Sequence, residues 1–138
     1  MAVVEELLRS ESNGNISFGN HTLNQKAKLE DFEHAGDIYK VKTYDAMTKL
    51  EKNGLFLYES VPGTSVFDFA ENSTGIEFTV EGDQDAQITI GLEDDSEYEV
   101  FIDDASVGTM KTNLATKINV SVELAGIGKA QVKLVKRG

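Results

Sequence analysis

A chain of 138 residues with 24 acids against 13 bases carries a net charge of −11. That length holds one domain with one sizeable core, and that charge argues against nucleic acid and anionic membrane surfaces, both of which are gripped by Lys and Arg. The absence of cysteine excludes disulfides, thiol catalysis, iron–sulfur clusters and cysteine-based zinc sites.

The opening "MAVVEELLRSESNGN" has no basic leader, and Glu5 and Glu6 break its short apolar run. The run "VVEELL" reads as a strand rather than a helix, and the expected address is the cytoplasm. No stretch approaches 18 apolar residues, so no membrane span is expected. Weak period-two alternation follows at 23–29 and 38–44. The segment 45–54, "DAMTKLEKNG", admits a short helix with Asp45 as its cap, but a hairpin fits better. Asn53-Gly54 supplies the two positive-φ residues of a tight turn, and Leu50 then faces Leu57 in "LFLYES".

Further strands are expected at 66–69 and, with clear alternation, at Ile76, Phe78 and Val80 and again at Ile88, Ile90 and Leu92. Tyr98, Val100 and Ile102 form another inward face. Asp103 and Asp104 then mark a polar corner, since Asp side chains hydrogen-bond the nearby backbone in turns. Residues 107–111 make the return strand. Ile118, Val120, Val122 and Leu124 alternate with Asn119, Ser121 and Glu123, and 132–135 closes the series.

Turn signals recur about every ten residues, a spacing that predicts an all-β protein. The expected architecture is an antiparallel β-sandwich, Ig-like or jelly-roll-like, of about nine to eleven short strands with at most one short helix near 45–53. It forms a single domain over 1–138, or two lobes, 1–82 and 83–138.

Charge is laid out in blocks. Residues 53–110 hold 14 acids and no Lys or Arg, whereas the chain from Lys111 onward holds six bases and one acid, Glu123. Such blocks need partners. These are either neighbouring strands of the same chain or another copy, which makes a homo-oligomer the expected assembly.

Chemistry-bearing constellations are sparse. His21 and His34 are isolated in polar settings, and no nucleophile-elbow or phosphate-loop motif occurs. Asp68, in "VFDF", is the one acid between aromatics and reads as an outward residue. Calcium is the most suitable ion, with Asp83 and Asp85 in "EGDQDAQ" and Asp94 and Asp95 in "EDDSE" as candidate oxygen ligands, though neither loop fits the EF-hand pattern. No other cofactor is expected. For a sugar, Tyr58 and Phe101 are the candidate stacking residues.

The phrases "GDIYKVKTYDAMTKLEKNGLFLYESVPGTSVFDF", "EFTVEGDQDAQITIGLEDDSEYEVFIDDASVGTMKTN" and "KINVSVEL" resemble short bacterial proteins that often carry the automatic label endosialidase, over nearly the whole chain. Tailspike endosialidases use a β-propeller whose several four-stranded blades each need about 40 residues, so the resemblance transfers no catalytic residue. "YEVFIDDASVG" is similar to hairpins of Ig-like and fibronectin-like accessory modules. The expected function is therefore a non-catalytic structural or interaction subunit that associates with itself. A carbohydrate-binding module is the alternative, and a small glycan-active enzyme ranks third.

Overall fold

The computed structural model describes residues 2–138. Thirteen strands follow in chain order: β1 (Leu8–Ser10), β2 (Ile16–Phe18), β3 (Ala27–His34), β4 (Asp37–Thr43), β5 (Thr48–Lys52), β6 (Leu55–Val61), β7 (Ser65–Asn72), β8 (Gly75–Glu81), β9 (Ala86–Gly91), β10 (Glu97–Ile102), β11 (Ala105–Lys111), β12 (Lys117–Val122) and β13 (Lys129–Lys136). The count exceeds the expected nine to eleven; β1 and β2, at three residues each, are too short to show a period.

Two antiparallel sheets pack face to face. The first runs β1-β2-β7-β8-β13-β10-β11 and the second β12-β9-β6-β5-β4-β3. Each draws strands from both sides of residue 82: β8 pairs with β13, and β6 pairs with β9. No helix forms among the described residues, and none is long and apolar enough to cross a membrane.

The alternating residues explain the layers. Ile76, Phe78 and Val80 of β8, Ile88 and Ile90 of β9, and Val132 and Leu134 of β13 all turn inward and are buried, as period-two side-chain geometry requires. At the centre, Phe18 meets Tyr58 edge-on at 5.2 Å, Tyr58 meets Phe78 edge-on at 5.6 Å, and Phe69 stacks on Phe78 at 5.5 Å. Such aromatic pairs add to the free energy of area burial.

Residues 45–53 form no helix: β5 and β6 make the expected hairpin, with Asn53 and Gly54 at φ 52° and 79°. The register differs from the simple one. A bulge opposite Leu50 and Glu51 sets Leu50 against Tyr58 rather than Leu57. The extra residue breaks the alternation, and Leu57 and Tyr58, consecutive in sequence, both turn into the core.

Asp103 and Asp104 form the two-residue corner between β10 and β11, both with positive φ. Asp103 Oδ1 accepts the Gln131 N–H at 2.9 Å, which ties the corner to β13. The connection after β6 is fixed from within. The Tyr58 hydroxyl and the Ser60 hydroxyl both lie 2.7 Å from Thr64 Oγ1, and Thr48 Oγ1 donates to the Thr64 carbonyl at 2.7 Å. Each of these polar groups is fully buried and paired, so none bears the cost of an orphaned group.

Candidate functional site

One of the sequence-derived site assignments fails on geometry. Tyr58 is not a sugar-stacking residue. It is 0% exposed, walled in by Phe18, Phe69 and Phe78, and burial pushes its phenol well above the ordinary tyrosine range. The bulge in the β5–β6 hairpin is the reason. Phe101 does lie on the outer face of its sheet, half-buried between Lys133 and Ser106.

The four candidate calcium ligands lie in two separate loops. Asp83 and Asp85 precede β9 and Asp94 and Asp95 follow it, separating the pairs by about 20 Å of strand. Asp85 instead caps a turn, its Oδ1 accepting the N–H groups of Leu124 and Ala125 at 2.9 Å each. Asp95 pairs with Lys111 at 3.4 Å, and the Asp94 carbonyl accepts the Ser96 hydroxyl at 2.9 Å. Asp83 Oδ2 stands 4.0 Å from His21 Nε2. That imidazole is buried, and Ser65 Oγ lies 2.8 Å from its Nδ1; burial pushes its pKa below the usual histidine value against the pull of Asp83 and Glu81. Among the described residues no three His, Asp or Glu side chains are grouped as a metal site would need.

A cleft that the sequence did not point to lies at one open end of the sandwich. The β5–β6 turn, the β7–β8 turn and the segments entering β10 and β12 enclose a cleft of about 560 Å³, a size that suits a small ligand. Leu57, Ile76, Leu92 and Tyr98 contribute its apolar lining, and Asn72, Ser73 and Thr116 offer neutral polar groups. Phe56, also in the lining, carries the Lys117 ammonium 4.1 Å from its ring centroid. This is a cation–π contact. Leu55, 72% exposed, stands at the mouth.

Both carboxylates lining this cleft are already engaged. Lys52 Nζ donates to Glu71 at 2.8 Å, a bond that raises the lysine's pKa, and Lys136 Nζ donates to Glu93. Both cleft carboxylates are thus held by lysines. No known protein family, curated protein or solved structure matches the chain.

The charge blocks also find partners within the fold. Lys133 faces Glu77 across β13 and β8 with 4.0 Å between charged atoms, Arg137 bonds Glu99 at 2.8 Å, and Lys111 and Lys136 are paired as above. Glu99 is held below the usual carboxylate range by its hydrogen bonds from Arg137 and Ser106. Lys117, Lys129 and Glu123 are different. Among the described residues none of the three makes an ion pair, although Glu123 is the sole acid past residue 110.

The four sheet edges are unequal. β1 has three residues and is tied to β3 by the contact of Ser10 Oγ with His34 Nδ1 at 2.8 Å. β3 carries Lys28, Glu30, Asp31 and Glu33 and a bulge between Leu29 and Phe32. β11 carries a bulge at Val107, followed by Gly108 at φ 118°. Shortness, charge and bulges all deter pairing with a foreign strand. β12, "KINVSV", has six residues in unbroken register with β9, one charge and no proline.

Proposed function

We propose that the protein is a non-catalytic interaction subunit that associates with copies of itself. The observation that supports this most is the unguarded edge of β12 beside three guarded ones. A regular edge strand with free main-chain groups is a template for another strand. Sedimentation equilibrium tests the reading. The 15.1 kDa chain is expected to double its mass as concentration rises through the micromolar range. A monomer at every concentration and salt level contradicts it.

A second reading, carbohydrate binding, is favoured by the end cleft. Its lining combines the Phe56 ring with neutral amide and hydroxyl groups, and its two carboxylates are held by lysines. That combination suits an uncharged ligand with one apolar face, such as a neutral sugar ring. On this reading the stacking aromatic is Phe56, not Tyr58.

A further inference from the structure

We infer that β12 pairs antiparallel with β12 of a second copy across a two-fold axis at Val120, with Asn119 opposite Ser121 of the second copy. This inference rests on the self-association reading and names its surface and register.

The phase of the β9–β12 ladder fixes which groups are free. Leu92 N–H donates to the Thr116 carbonyl at 2.8 Å, directly across the pair. In an antiparallel ladder, hydrogen-bonded pairs alternate with non-hydrogen-bonded ones. Ile118, Val120 and Val122 therefore bond to β9, while the N–H and C=O of Lys117, Asn119 and Ser121 point away from it. The Lys117 groups are satisfied locally: its N–H goes to Asn113 Oδ1 and its carbonyl accepts the Asn113 N–H, each at 3.0 Å. Asn119 and Ser121 are left with outward main-chain groups.

An isologous antiparallel contact must match free groups to free groups and keep inner residues opposite inner residues. The register that sets Asn119 against Ser121 does both, twice by symmetry, and each such pair exchanges two main-chain hydrogen bonds. It also sets Ile118 against Val122 and Val120 against itself, continuing the buried row of the sheet. On the outer face it sets Lys117 against Glu123, two opposite charges that make no ion pair among the described residues. Opposite charges directly across a strand pair stabilise it, and like charges oppose it. The contact closes on itself, so it yields a dimer and not a filament.

A chain without cysteine makes the test direct. Asn119→Cys and Ser121→Cys are purified separately, mixed and mildly oxidised. Residues in a hydrogen-bonded antiparallel pair lie about 5.5 Å apart at Cα, within disulfide reach. The mixture is expected to cross-link into a covalent dimer roughly tenfold faster than either variant alone, because each alone sets cysteine opposite a native residue. Charge exchange supplies the second arm: Lys117→Glu and Glu123→Lys each weaken the dimer, and the double variant restores it. Equal cross-linking in all three samples, or dimers that form without cross-linking and ignore the charge variants, overturns the register while leaving self-association standing. Monomers throughout overturn both.

Discussion

Replacing Tyr58 with alanine is expected to lower the unfolding free energy by about 3–5 kcal/mol, the range for emptying an aromatic site in a packed core. The ring is 0% exposed and makes edge-on contacts with Phe18, Phe69 and Phe78, so its loss leaves a cavity at the centre of the sandwich. It also removes one hydroxyl from the group holding residues 60–64. Tyr58→Phe separates the two contributions. The ring stays, Thr64 Oγ1 keeps Ser60, and the cost falls to about 1 kcal/mol, that of one buried hydrogen bond. Urea denaturation reads both. A Tyr58→Ala loss below that of Tyr58→Phe contradicts the core placement. On the carbohydrate-binding reading, Tyr58→Phe is expected to leave sugar affinity unchanged, whereas Phe56→Ala, which removes the ring lining the cleft, is expected to lower it.

The second large effect is expected at Gly75, where alanine should cost roughly 3–5 kcal/mol through combined strain and overpacking. A Cβ there would lie 1.8 Å from the Leu134 carbonyl oxygen, a main-chain atom of the paired strand β13. No side-chain rotation relieves that overlap, and φ is 146°, which L side chains rarely adopt. The β7–β8 turn would have to lift off β13 and distort the cleft it lines. Gly108 is the control. It also has positive φ, but nothing lies within 4 Å of an added Cβ, so Gly108→Ala carries strain alone, about 1–2 kcal/mol. Equal losses at the two positions would show that the close approach of β8 to β13 is not what demands glycine.

The architecture was legible because alternation and turn chemistry agree. Ile76–Val80, Ile88–Ile90 and Ile118–Val122 each bury the face that the pattern assigns, and Asn53-Gly54 and Asp103-Asp104 turn the chain with positive φ. Errors arose where a bulge inserts an extra residue. Period two places Leu57 inside and Tyr58 outside; the bulge across from Leu50 and Glu51 brings both inside. Bulges answer to the partner strand, and a single strand's sequence does not carry them. The end cleft was hidden for a related reason. Phe56, Ile76, Leu92, Tyr98 and Thr116 come from separate segments that meet only through sheet topology. The charge blocks were visible, but their resolution depended on register: β13 falls between acidic β8 and β10. The scarcity of charge in "KINVSV" was visible too. Its meaning required knowing that β12 is an edge.

Amide hydrogen exchange at Asn119 and Ser121 tests self-association through β12 most directly. Both N–H groups face outward from the single chain, so they exchange at near-unprotected rates in dilute solution. Raising the concentration through the dimerisation range is expected to slow both, while the Thr109 amide on β11 keeps its rate. Fast exchange at Asn119 and Ser121 at concentrations where the mass has already doubled would contradict it.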